Sequence, residues 1–145
     1  MLTSDPERTR QRKDELSAYY RQAVMLGDDF ICPHFHSCSD SHHGPFFKGQ
    51  LHHVGRHYDA VLEGVPLRIV VVGQEYGESC EMVGPEAREE SVAGTPGTFS
   101  GRNPHMKGTT TILRLLFGRL PGEDQEGERL QIGGQRVHLF EAFAL

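Results

Sequence analysis

No apolar run in this 145-residue chain approaches the ~18 residues that a membrane-spanning helix needs. Cysteine is scarce: three residues, an odd number, form no dense disulfide framework, which points to a reduced compartment. Positive charge is also in deficit. Fifteen Lys and Arg stand against twenty Asp and Glu, for a net charge of -5. That balance does not advertise a nucleic-acid binder, although a local basic cleft would suffice for one. There is no Gly-x-x-x-x-Gly-Lys-Ser/Thr phosphate loop, so a nucleotide hydrolase of that class lacks its main support. The polar start, Met1 to Arg8, reads as a helix beginning rather than a signal peptide. No internal repeat or low-complexity tract is visible. The expectation is one cytoplasmic domain, residues 1–145, with no membrane partner and enough chain for a real core.

What is there centres on Leu67 to Glu78. Ile69 to Val72 is a run of β-branched and apolar residues with no polar face. Such a strand suits the middle of a parallel sheet covered by helices. It runs into Gly73 and then Gln74, Glu75 and Tyr76. In open α/β sheets ligands bind beyond the carboxyl ends of the strands, so these three residues stand where chemistry is expected. The plain alternative is an ordinary turn with solvent-facing polar groups.

Before this stretch, Ser4-Asp5-Pro6-Glu7 is a helix start with a cap, an early proline and an acidic first turn. Leu16, Tyr19, Tyr20, Ala23 and Val24 recur at spacings of three and four, and Gly27 follows, so a helix is expected over 6–26. Residues 30–58 then hold seven of the nine histidines and two of the three cysteines. An irregular segment is expected here, with a short helix through Val54 to Leu62. Thiolate and imidazole suit zinc, and thiolates suit iron–sulfur clusters. Cys32, Cys38, His34 and His36 are therefore candidate ligands, with buried cysteines beside surface histidines and no metal as the third reading. After the central strand, Glu78 to Gly97 reads as a loop with a helical turn at Pro85 to Glu90. Thr109 or Thr110 is expected to cap a second helix carrying Ile112, Leu113, Leu115, Leu116 and Phe117, ended by Gly118. Gly133-Gly134 lies between two strand-like segments and predicts a hairpin. Val137 to Leu145 reads as a buried strand, an abrupt end that suggests a fragment or abbreviated domain.

Val70-Val71-Val72-Gly73-Gln74-Glu75-Tyr76 resembles the first motif of the uracil-DNA glycosylase superfamily, where an apolar strand leads into Gly-Gln-Asp-Pro-Tyr or Gly-Glu-Ala-Pro-Gly. Thr98-Phe99-Ser100 and the helix from Thr111 to Leu116 look like the family's next portion, and Val137 to Phe143 like its following strand. The resemblance covers roughly Leu67 to Leu145. It implies a three-layer α/β/α sandwich with a mainly parallel central sheet, the carboxyl-terminal part missing. It also implies removal of uracil or another damaged base from DNA by hydrolysis of the N-glycosidic bond. Glu75 takes the position of the water-activating Asp, with Gln74 at the mouth of the base pocket. A carboxylate there would polarise water and stabilise developing positive charge. Tyr76, Phe99, Ser100 and Glu141 would meet the substrate, Phe99 by stacking on the flipped base. Arg102, His105 and Lys107, on one loop beside a helix start, are candidates for DNA phosphates.

The sequence departs from the family pattern in three places. No proline follows Glu75, the uracil-reading Asn is replaced by Glu141 or falls past Leu145, and the His-Pro-Ser motif is missing. The iron–sulfur branch of the family places a cysteine pair before the first motif, where Cys32 and Cys38 stand. A 4Fe–4S cluster, a zinc ion or no metal are the three open occupants. The alternative function is a metal-stabilised nucleic-acid-binding module without catalysis.

Overall fold

The structure, a computed structural model, describes residues 1–23, 26, 31–41, 52–73, 92 and 97–145. Helices and three small sheets, antiparallel and parallel, make an α/β arrangement. Strands β1 (Leu2–Ser4), β2 (Ala60–Leu62) and β3 (Val65–Leu67) form one antiparallel sheet in the order β1-β2-β3. β2 and β3 are joined by Glu63 and Gly64, both at positive φ (51° and 83°). That is the mirror-image turn that matches strand twist in a two-residue hairpin. Pro66 sits in β3, an edge strand where its missing N–H is tolerated.

Between β1 and β2 in sequence lies helix α1 (Pro6–Gln22). Asp5 caps it by accepting from the Arg8 backbone N–H at 3.0 Å, and Pro6 occupies the first turn. The helix stops four residues short of the expected Leu26. Its expected apolar face carries little of the packing: Tyr19 is exposed and Leu16 and Tyr20 are half-buried. Polar contacts anchor α1 instead. Asp59, buried at the start of β2, accepts from Arg12 Nε at 2.9 and 3.0 Å, from Arg68 Nη2 at 3.2 Å and from Thr9 Oγ1 at 3.3 Å. Tyr20 also stacks flat on His52, with ring centroids 5.2 Å apart.

The short helix expected over Val54 to Leu62 is not formed. Residues 53–57 run antiparallel to a later strand, β7 (Phe143–Ala144). His53 and Leu145 exchange backbone hydrogen bonds at 2.7 and 2.9 Å, and the Gly55 and His57 amides donate to Phe143 and Glu141 carbonyls. On its other edge β7 pairs in parallel with β4 (Ile69–Val70), in the register Ile69↔Phe143 and Val70↔Ala144. The apolar run thus forms a strand pair and not the buried centre of a broad sheet. Ile69 and Val71 pack on the core, while Val70 and Val72 are exposed. Among the described residues the sheets have three, two and two strands, and no three-layer parallel sandwich is seen.

Helix α3 (Pro104–Leu116) follows a second helix, α2 (Phe35–Ser41), in chain order. Asn103 caps α3 by accepting from Met106 N–H at 2.8 Å. The expected caps Thr109 and Thr110 lie instead inside the helix on its buried face, with Met106, Leu113 and Arg114. Phe117 and Gly118 end it, Gly118 at φ 67°. The hairpin β5 (Arg129–Ile132) and β6 (Gln135–His138) forms as expected around Gly133 and Gly134, at φ 55° and 82°. The single strand expected over Val137 to Leu145 is broken by a 3-10 turn at Leu139–Ala142. The His138 ring accepts the Phe140 N–H at 3.2 Å and so ties off the ladder there. The core comprises Met106 and Leu113 of α3, Leu130 and Ile132 of β5, and Val137, Leu139, Phe140, Ala142 and Phe143, closed by Val92. No helix among the described residues is long and apolar enough to cross a membrane.

Candidate functional site

The carboxyl end of β4 is placed by its pairing with β7. Val71 N–H donates to the Ala144 carbonyl at 2.7 Å, which carries the pairing one residue past β4. Gly73 then meets the amino end of α3. A Cβ on Gly73 would lie 2.9 Å from His105 Cε1 and 3.0 Å from its Nε2. Glycine is what permits the strand end and the imidazole to approach this closely. His105 is the second residue of α3 and its side chain is exposed. The strand end, a helix amino terminus and an imidazole therefore converge. The helix terminus contributes partial positive charge to that place. Gln74, Glu75 and Tyr76 continue the chain from Gly73 and lie outside the described residues, as does the helical turn expected at Pro85 to Glu90.

The neighbouring Phe99-Ser100-Gly101 forms a 3-10 turn. Phe99 is half-buried, with the Arg102 guanidinium 5.8 Å from its ring centre. Ser100 is exposed and its backbone N–H donates to Glu123 Oε2 at 3.1 Å. Lys107 is half-buried on the first turn of α3.

Arg102 does not join His105 and Lys107 at the surface. It is buried, and both terminal nitrogens reach the Glu128 carboxylate, at 2.9 and 2.6 Å. Arg114 reaches the same carboxylate at 3.2 Å and also donates to the carbonyls of Leu120 and Asp124. His138 completes the set. Phe140 N–H donates to its Nδ1, so its proton sits on Nε2, which donates to Glu128 at 2.9 Å. Burial holds the His138 pKa below its ordinary value, against the pull of Glu128. Burial would raise the Glu128 pKa, but hydrogen bonds from Arg102 and His138 outweigh it and keep the carboxylate ionised. The expected phosphate contact is thus replaced by a structural ion cluster, because a buried guanidinium must be paired.

Glu141 is also displaced from the expected site. It lies in the 3-10 turn that precedes β7, whereas Gly73 lies beyond the carboxyl end of β4, the parallel partner of β7. Glu141 is instead held by Arg56, whose Nε and Nη2 donate at 3.1 and 2.6 Å. It stands on the rim of a cleft of about 750 Å³ between α1 and the Leu139–Ala142 turn. Val54, Val92 and Phe140 form the apolar floor, beside His53, His138 and Thr9. Arg10, Lys13, Arg56 and Arg129 lie around it with Glu7 and Glu141. This opening is therefore at the far end of β7 from Gly73, and of the residues that the family likeness singles out it takes in Glu141.

The Cys/His segment is ordered as α2 and the turn before it. Cys32, His34, His36 and Cys38 are exposed, and both cysteines are free thiols. Cys38 N–H donates to the His34 carbonyl at 2.9 Å. The donor chemistry suits zinc or a cluster, but among the described residues no group of three or more His, Cys, Asp or Glu side chains is arranged to hold a metal ion.

Sequence reading missed the Glu128 cluster and most of the cleft. One signal was available: Arg114 falls on the apolar stripe of α3, between Thr110 and Phe117 at helical spacing, which marks a buried cation. The cleft gave no signal, since its walls come from five separated stretches of chain. No family model, no curated protein and no solved structure matches this chain.

Proposed function

We propose that the protein is a uracil-DNA glycosylase-like enzyme that hydrolyses the N-glycosidic bond of uracil or another damaged base in DNA. The observation that carries this reading is the parallel pairing of β4 with β7, which delivers Gly73 against His105 at the amino end of α3. The family likeness implies a mainly parallel central sheet, and a three-layer sandwich built on β4 and β7 belongs to the same proposal. Glu75, two residues beyond Gly73, is the carboxylate that polarises water at the anomeric carbon. It also balances the oxocarbenium-like charge as the bond breaks. Gln74 and Tyr76 border the base, and Phe99 supplies a ring wall on which an extruded base stacks. Ser100, His105 and Lys107 face the sugar-phosphate chain. Arg102 and Glu141 have no part in this, since each is committed to a protein partner. Cys32 and Cys38 remain the pair available to a cluster or a zinc ion, and no step of the reaction runs through them.

The test is base release from uracil-containing single- and double-stranded oligonucleotides. Wild-type protein should release uracil, and Glu75→Gln should slow release by about 10²-fold or more, the usual worth of a positioned general base. Tight oligonucleotide binding without release, or equal rates for the variant, removes the catalytic reading. Binding alone would favour a nucleic-acid-binding module.

A further inference from the structure

The cleft at the other end of β7 is not used by the proposed chemistry, and its construction is unlike a chance groove. Its floor asks for no hydrogen bonds. Phe140, Val54 and Val92 are apolar and buried. Most polar groups among them bond within the protein, and His53 Nε2 bonds the Phe140 carbonyl at 3.0 Å. His138 uses both ring nitrogens internally, and Thr9 Oγ1 donates toward Asp59 and the Asp5 carbonyl.

The rim has the opposite character. Both of its carboxylates are matched by arginine: Glu7 by Arg10 at 2.5 Å and Glu141 by Arg56 at 2.6 Å. Arg129 is a further cation on the same rim, so among the described residues the opening is net positive on a chain whose total is -5. The field of Arg129 reaches inward, since its charge helps to depress the His138 pKa. A positive mouth over a low-dielectric floor concentrates anions. A volume of about 750 Å³ lies within the ordinary range for small-ligand pockets.

We propose that this cleft is a binding site for a small amphiphilic anion, an apolar body lying on Phe140 and Val54 with a carboxylate head at the Arg129 side of the rim. A guanidinium fork suits a carboxylate in two-point contact. The head contributes orientation and specificity, and the apolar body most of the affinity.

The full chain, isotopically labelled, should be titrated with octanoate and followed by amide chemical shifts. Saturable shifts should appear at Val54, Gly55, Phe140 and Glu141. Octanol, the body without the charge, and acetate, the head without the body, should each bind at least tenfold more weakly. Arg129→Gln changes an exposed side chain and should weaken octanoate at least fivefold. Val54→Phe fills the floor and should abolish the shifts while leaving amides of the β5–β6 hairpin unmoved. Octanol binding as tightly as octanoate, shifts mapping elsewhere, unchanged affinity in Arg129→Gln, or no saturable binding each overturns the proposal. None of these readouts depends on glycosylase activity.

Discussion

Arg102 and Glu128 form a two-point ion pair, at 2.9 and 2.6 Å, with both side chains about 2% exposed. Glu128 is the single carboxylate of this cluster, and Arg114 and His138 also turn to it. Replacing Glu128 by Gln or Ala leaves two buried guanidiniums without their anion. Loss of one partner of a buried pair costs ~3–5 kcal/mol. Denaturant unfolding should show a loss in that range for either variant. A double-mutant cycle of Arg102→Met with Glu128→Leu should recover part of it, because the uncompensated charge goes too.

Acid stability should fall in two stages. His57 and His138 both have pKa values lowered by burial, so the folded state holds them neutral while the unfolded chain protonates near the ordinary 6.5. The unfolded state binds more protons below that pH, so stability declines as pH drops below about 6.5. Glu128 has a depressed pKa. Its contribution is complete above the ordinary carboxyl value of 4.5 and is lost as pH falls through the folded value. Thermal midpoints measured from pH 8 to pH 3 should show both declines. His57→Gln combined with His138→Gln should flatten the first and retain the second. A profile flat between pH 7 and 5 in wild type contradicts this account.

Asp59 holds α1 to β2 through Arg12, Arg68 and Thr9. Asp59→Ala removes the acceptor that Arg12, Arg68 and Thr9 share, at a cost of ~1–3 kcal/mol. Arg12→Ala or Arg68→Ala should cost less, since both side chains are partly in water and exposed pairs contribute little. Hydrogen exchange should localise the effect, with α1 amides losing protection in Asp59→Ala before the β5–β6 hairpin does.

Gly55 and Gly73 separate a rigid close approach from a soft one. A Cβ at Gly55 would stand 2.4 Å from the Glu141 backbone carbon and oxygen. Only a shift of the 53–57 segment off β7 relieves that clash, so Gly55→Ala should destabilise by ~2 kcal/mol or more. At Gly73 the obstacle is the exposed His105 ring, which can rotate away. Gly73→Ala should therefore cost under ~1 kcal/mol. It should nevertheless shift the His105 ring resonances, and any loss of base release by that variant would report on the strand end. Comparable unfolding midpoints for the two alanine variants would rule this distinction out.

Local chemistry was readable from the sequence where one residue fixes its own backbone or its nearest neighbours. Asp5 and Pro6 set the start of α1, and Gly133-Gly134 supplies the positive φ that a two-residue hairpin demands. Ile69 and Val70 make a strand because β-branched side chains favour it. Tertiary structure decided the features that depend on which distant segments meet. Among the described residues it gave β4 one parallel partner, and it left Val70 and Val72 in water. It drew Arg102 inward because Glu128, twenty-six residues away, offers a buried counter-charge. It set Glu141 beside Arg56, across eighty-five residues, at the opposite end of β7 from Gly73. Periodicity and propensity act over a turn or a strand, whereas burial of charge and the shape of a cleft are settled only when separated chain segments share the same volume.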